Sequence, residues 1–515
     1  MVTLERIVQR TPFEKIAGQT VMAYVDEVKN FSELEKTVLE NALSGLIIGR
    51  KALSGLKNPG SSLKELAAAY RRALGFSLII AAEHEGKGLE GVYPPVTELP
   101  SQMGVGATGD EKSAYITGYV TALELRTLSI NTNLAPVANI YSPGIGENCF
   151  GDDPDEVSSY VVSYIRGLRN GGVLSFVKYF PGRFYEKHGG EAEDLNGVLR
   201  RDFKPFQEAF KSGVEGVVIG HGPLPAAGDR DTPSSLSPRV VEKIVKREMG
   251  FKNILLTDYL DDKQVSESFD LEEAAVRALK AGNHIVVPSR RMDKTLEVLN
   301  SILEKAREDR NLYERIRSSA LEVLSFKLKK FEKFKKTPEK TRGSIINRTK
   351  AWKIFIRSIS LVKGVDELPL RWLGKPLVVV TDKFEEQLGE SGRSALEEAL
   401  REELGGFNLL ERFEEVSSKK LGEIYRSTPS NTLLLVLAYN SQENRRELSM
   451  LKKLVEFFRE SIVISLGAPE DLPQLSSAKI CVAAFTPSVT AVKAALKVLK
   501  GKFKPAGKPP IKIGL

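Results

Sequence analysis

The residues with chemistry to offer gather at the ends of short apolar runs. Asp258 closes the run Ile254-Leu255-Leu256-Thr257, with Gly250 before it and a helical pattern after it. A run of that length and setting reads as a buried parallel strand. A carboxylate at its C-terminal tip stands where α/β barrels keep their chemistry, or else caps the next helix. Glu83, Lys178 and His221 occupy the same position after the runs at 77–82, 173–177 and 216–220. Between Lys178 and His221 lies Glu186-Lys187-His188-Gly189-Gly190-Glu191, with a carboxylate two residues before an imidazole. An imidazole with a pKa near ~6.5, oriented by that carboxylate, suits a group that must give up and recover a proton. Glu191, if its pKa is raised, would serve the same end.

The elements that must position these groups follow from the pattern. Apolar runs at 20–25, 45–48, 77–82, 130–135, 173–177, 216–220, 253–257 and 284–287 alternate with amphipathic stretches such as 63–74, 111–127, 154–170 and 237–249. Such alternation implies a parallel α/β architecture, and eight strands suit a (β/α)8 TIM-type barrel over residues 1–330. In a barrel the C-terminal strand ends share one face, so the candidate groups converge. A basic linker and helix are expected over 331–373, with the helix at 345–361. A smaller αβα sandwich is expected over 374–515, on strands at 377–381, 432–438, 462–466 and 480–484.

The chain has 515 residues, 42% hydrophobic and 28% charged, the composition of a globular protein with more than one core. No apolar run is long enough to span a membrane, and no apolar leader follows Met1, so the cytoplasm is the expected location. The only cysteines, Cys149 and Cys481, offer neither a disulfide framework nor a metal pair. His84, His188, His221 and His284 lack metal-ligand spacing, and no cofactor is expected. The net charge of +8 owes much to KLKKFEKFKKTPEKTR at 327–342, which reads as a solvated helix end and linker rather than a nucleic-acid site. The abundance of Lys, Arg and Glu fits a thermostable protein.

Several segments resemble glycoside hydrolase family 3. Pro233-Ser234-Ser235-Leu236-Ser237, a helix ending Met249-Gly250-Phe251, and Thr257-Asp258 are similar to that family's nucleophile segment, "P-A-T-L-S", "L-G-F" and "V-T-D". Glu83-His84-Glu85-Gly86 is similar to "D-x-E-G-G". Asn133-Leu134-Ala135-Pro136-Val137-Ala138-Asn139 is similar to "N-x-A-P-V-x-D", with Asn139 in place of the Asp. Lys178-Tyr179-Phe180-Pro181-Gly182 resembles "K-H-F-P-G", the mark of the β-N-acetylglucosaminidase branch, with Tyr179 in place of His. Asn148 stands where the family has a sugar-binding Arg. Gly467-Ala468-Pro469-Glu470-Asp471-Leu472 and Gly507-Lys508-Pro509-Pro510-Ile511 resemble a turn and a tail of the family's C-terminal domain.

The resemblance implies a retaining exo-β-N-acetylglucosaminidase. Asp258 would be the nucleophile, His188 the acid/base with Glu186 orienting it, and Glu191 the alternative. Glu83, Lys178, His221 and Asn148 would hold the sugar. Its partner is a small-molecule or oligosaccharide substrate, with no nucleic acid or membrane, and the protein is expected as a monomer or homodimer. The alternatives are a β-glucosidase or β-xylosidase of the same family, or a non-catalytic sugar-binding scaffold.

Overall fold

The structure is a computed structural model that describes residues 4–86, 96–182, 197, 201–331, 337–372, 374–410 and 418–514. The proposed acid/base group, Glu186, His188 and Glu191, lies outside the described residues.

Eight strands form the first sheet: β1 (Met22–Val25), β2 (Gly45–Ile48), β3 (Ile79–Ala82), β4 (Thr132–Asn133), β5 (Leu174–Phe180), β6 (Gly216–Ile219), β7 (Ile254–Tyr259) and β8 (Ile285–Val287). Each pairs in parallel with the next, and a parallel bridge between Val21 and Val286 closes the ring. The result is a TIM-type barrel. Alternate strand residues serve two cores. Leu46, Ile80, Val177, Val217 and Leu255 pack outward with the surrounding helices. Met22, Ile47, Ile79, Phe176, Val218 and Leu256 fill the interior with Val323 and Phe326 of the helix Arg310–Phe331. A strand buried on both faces must be apolar throughout, which is why these strands read as continuous runs.

Local rules set the helices. Asp153 caps Pro154–Gly171 by accepting from the Asp155 and Glu156 amides, and Gly172 ends it with φ of 87°. That helix lies against Glu111–Thr127 (residues 111–127 of the sequence pattern). A Cβ on Gly118 would meet the Tyr164 carbonyl at 2.3 Å, and one on Gly167 the Tyr115 carbonyl at 2.3 Å, so only glycine permits the approach.

The second sheet has six strands in the order β11-β10-β12-β13-β14-β9: β9 (Ser360–Lys363), β10 (Leu377–Val380), β11 (Asn408–Leu410), β12 (Leu434–Ala438), β13 (Ser461–Ser465) and β14 (Ile480–Ala483). All pairs are parallel except β9 with β14. Apolar clusters cover both faces of this sheet. The helix expected over 345–361 ends at Ser358, and β9 follows at once, because pairing with the open edge of β14 wins over local helix preference. The three-residue β11 left too short a pattern to read.

Lys327 departs from its expected place in a solvated helix end. It is 1% exposed, donates to Gln19 Oε1 at 2.7 Å and lies 5.5 Å from the Tyr70 ring centre. Its position on the inner face of Arg310–Phe331, not the charge run around it, decides its burial. Among the described residues, no helix is long and apolar enough to cross a membrane.

Candidate active site

A cavity of about 1060 Å³ opens at the C-terminal ends of the barrel strands. Tyr24, Asp26, Arg50, Glu83, Glu85, Asn148, Lys178, Tyr179 and Arg290 are among its walls. They come from positions just after or at the ends of β1, β2, β3, β5 and β8, and from the loop after β4.

Lys178 is the centre of its charge pattern. Its side chain is 2% exposed, with the ammonium 3.1 Å from Glu83 Oε1 and 2.5 Å from Glu85 Oε1. Burial alone would raise the Glu83 carboxyl. The Lys178 charge and hydrogen bonds from Lys178 and Tyr259 outweigh it and hold the group below its ordinary range. Burial alone would lower Lys178, yet Glu83 and Glu85 together raise it well above the usual lysine value. Glu83 and Lys178 are therefore both charged at neutral pH, and with Glu85 on the same ammonium they form a triad. They present two acceptors and one donor to whatever enters, the equipment for gripping hydroxyl groups.

Two asparagines fix the segments that carry this triad. Asn133 accepts from the His84 amide at 3.0 Å and donates to the His84 carbonyl at 2.8 Å, clamping the backbone between Glu83 and Glu85. Asn139 likewise donates to the Tyr179 carbonyl at 2.9 Å and accepts from its amide at 3.3 Å. The amide side chain both donates and accepts, so Asn139 does what an ionised Asp at that position would do only by half.

Asp258 is the fifth residue of β7 and 9% exposed. Its Oδ1 accepts from the Tyr259 amide at 3.0 Å. It adjoins the cavity wall rather than forming it. Tyr259 carries the connection, donating its hydroxyl to Glu83 Oε2 at 2.9 Å. Burial, with the charges of Asp258, Glu83 and Glu85, pushes the Tyr179 phenol up against the opposing pull of Lys178. The Tyr259 ring meets Tyr24 edge-on at 5.7 Å, and the Arg290 guanidinium covers it at 3.9 Å. Arg290 is itself held by Asp262 at 2.6 Å and Asp261 at 3.4 Å.

The structure thus brings Glu83, Lys178 and Asn148 onto one cavity, with Asp258 beside them. His221 is placed differently. It is 2% exposed, with Nδ1 2.8 Å from Ser235 Oγ and Nε2 2.8 Å from the Tyr259 carbonyl. It braces the end of β7 and is not part of the cavity wall. His221, Asp258 and Asp262 have ligand-type atoms within 4.8 Å of one another. Both His221 nitrogens and the Asp262 carboxylate already have protein partners. Sequence reasoning missed Glu85, Tyr24, Tyr259 and Arg290. Only Glu85 left a signal, as the second carboxylate after β3.

The sequence profile described as "Glycosyl hydrolase family 3 N terminal domain" matches residues 14–325. The chain belongs to glycosyl hydrolase family 3. Curated relatives include a protein named beta-hexosaminidase from Neisseria meningitidis serogroup C (strain 053442), 27% identical over 305 residues, or 56% of this chain and 81% of the relative. Another of the same name, from Methylobacillus flagellatus, is 25% identical over 240 residues, or 44% of this chain and 68% of that one. Among solved structures, a family 3 β-N-acetylglucosaminidase from Paenibacillus sp. str. FPU-7 superposes with a TM-score of 0.80 at 23% identity, covering 98% of this chain and 99% of that one. A fungal multi-domain β-N-acetylglucosaminidase superposes with a TM-score of 0.84 at 22% identity. The alignment covers 97% of this chain but only 60% of the fungal one. The two structural likenesses establish the shared fold.

Proposed function

We propose that the protein is a retaining exo-β-N-acetylglucosaminidase. Asp258 attacks the anomeric carbon of a non-reducing-end N-acetylglucosamine while the bond from that carbon to the leaving oxygen breaks. An acid in the segment 183–191, His188 oriented by Glu186 or else Glu191, gives the leaving oxygen its proton. The same group, now a base, takes a proton from water, which releases the sugar from Asp258 with its original anomeric configuration. Glu83, Lys178 and Glu85 hold ring hydroxyls, and Asn148 meets the sugar from the loop after β4. His221 holds β7 in place.

The observation that carries this reading is the hydrogen bond from Tyr259 to Glu83, which couples the Asp258 strand end to the triad on the cavity wall. The names of the curated relatives support the sugar class. The test is a panel of aryl β-glycosides, in which the N-acetylglucosaminide should be cleaved well ahead of the glucoside and xyloside. A second reading, a β-glucosidase, draws on Asn148. Its Oδ1 is buried and without a hydrogen-bond partner, an acceptor where the family has a cation. Preference for the aryl glucoside would favour that reading, and no turnover of any sugar would favour a binding scaffold.

A further inference from the structure

The cavity wall contains a loop of the barrel that is bonded to the second domain. Residues 141–148 follow β4, and Ile145 and Asn148 face the cavity. The loop includes Gly144 and Gly146 with φ of 82° and 76°, conformations that glycine reaches easily and that cost it much freedom to fix. Side chains beside the strands of the second sheet bond to it. Glu470, in the turn after β13, accepts through Oε1 from the Tyr141 hydroxyl and from the Gly144 amide at 3.0 Å. Its Oε2 accepts from Gln442 Nε2 at 3.0 Å. Tyr439, just beyond β12, donates to Glu147 Oε1 at 3.3 Å, and Glu147 is 2% exposed.

The turn is built for this reach. A Cβ on Gly467 would lie 2.9 Å from the Tyr439 ring and from Asn440 Oδ1, so any larger residue there would have to push these side chains aside. Asp471, fully buried, accepts from the Gln442 amide at 3.3 Å and from Ser465 Oγ at 3.4 Å, steadying the residue that buttresses Glu470. Burial, and then the hydrogen bond to Glu470, pushes the Tyr141 phenol up, as expected for a hydroxyl that keeps its proton while donating to a carboxylate. The segment after the loop is also pinned: the Asp152 amide donates to the Pro510 carbonyl at 3.0 Å, and the Lys512 amide to Asp152 Oδ2 at 3.0 Å.

We propose that Glu470 and Tyr439 are positioning residues for the sugar pocket, holding the barrel loop 141–148 so that Asn148 meets the bound sugar. The second domain is then a working part of the active site. The proposal rests on the glycosidase reading for its kinetic arm and stands apart from it in its structural arm.

The test uses the full chain with Glu470→Ala, Glu470→Gln and Tyr439→Phe. Hydrogen exchange is followed in the peptide covering 141–148 without any sugar, and KM and kcat are measured on the aryl N-acetylglucosaminide. Glu470→Ala should speed exchange in 141–148 while β1–β8 keep their protection. It should raise KM about tenfold with kcat within about twofold, the mark of lost ground-state binding. Glu470→Gln, which keeps an oxygen for the Gly144 amide, should fall between Glu470→Ala and the parent, and Tyr439→Phe should act in the same direction. Unchanged exchange in 141–148 would overturn the proposal, as would a fall in kcat at constant KM. If the parent cleaves no sugar, the glycosidase reading fails, and the exchange arm alone decides the clamp.

Discussion

The Tyr259 hydroxyl lies 2.9 Å from Glu83 Oε2, so the residue directly after Asp258 is bonded to a carboxylate on the far side of the barrel mouth. A displacement of β7 therefore moves both the candidate nucleophile and a candidate sugar contact. Tyr259→Phe removes only this bond and leaves the ring between Tyr24 and Arg290. It should raise KM several-fold, up to about tenfold, with a smaller effect on kcat, and steady-state kinetics on the aryl N-acetylglucosaminide would show it. A parent-like KM would mean that Glu83 needs no help from Tyr259.

The triad of Lys178, Glu83 and Glu85 has a defined pH signature. Glu83 is depressed in the fold, so its contribution to stability is present above the unfolded value of about 4.3 and is lost as pH falls through the folded value. Lys178 is raised, so its contribution is present below about 10.4 and is lost as pH rises through the folded value. Between those limits Glu83 and Lys178 should themselves add no slope to the pH profile of urea unfolding. Lys178→Met leaves two carboxylates beside each other without their cation and should cost about 3–5 kcal/mol at neutral pH. The deficit should shrink as the pH falls toward about 4.3 and Glu83, without its cation, takes up a proton. A variant whose pH profile merely parallels that of the parent would refute the pairing.

Lys327 should act in the opposite sense. Burial holds its pKa well below the ordinary value, so the folded state takes up a proton less readily than the unfolded chain. Stability should rise with pH between the folded value and about 10.4, by up to about 1.4 kcal/mol per pH unit. Lys327→Met should flatten that rise, as read by urea midpoints across the range. A rise of undiminished slope in the variant would place its source elsewhere.

The barrel was legible because strands buried on both faces are apolar from end to end, and those at β3, β5, β6 and β7 end on or run into Glu83, Lys178, His221 and Asp258. β9 and β11 were not, since edge strands of three or four residues take their identity from a partner far away in the chain. Glu83, Lys178 and Asn148, singled out by their places after runs or within matched segments, lie on the cavity wall. Arg290 and Tyr24 reach the cavity only because β8 and β1 close the ring, and no local pattern carries that fact. His221 was placed at the right strand end, but both its nitrogens are spent on Ser235 and Tyr259. The second domain's turn was recognisable as a motif. What it holds became visible only with Glu470 against Tyr141 and Gly144.

Asp258 is the residue on which the proposed mechanism turns. Asp258→Asn keeps an oxygen to accept from the Tyr259 amide, so the fold should survive with a thermal midpoint close to that of the parent. Turnover should fall by about 10³-fold or more, the scale expected when a covalent nucleophile is lost. Circular dichroism and initial rates would check both halves.

The most direct measurement is intact-protein and peptide mass spectrometry after incubation with an activated N-acetylglucosamine derivative whose glycosyl-enzyme intermediate turns over slowly. The account predicts one added sugar mass on the parent protein, located in the peptide that contains Asp258, and none on Asp258→Asn. A sugar attached to another residue, or steady turnover of the derivative with no adduct and inverted product, would contradict it.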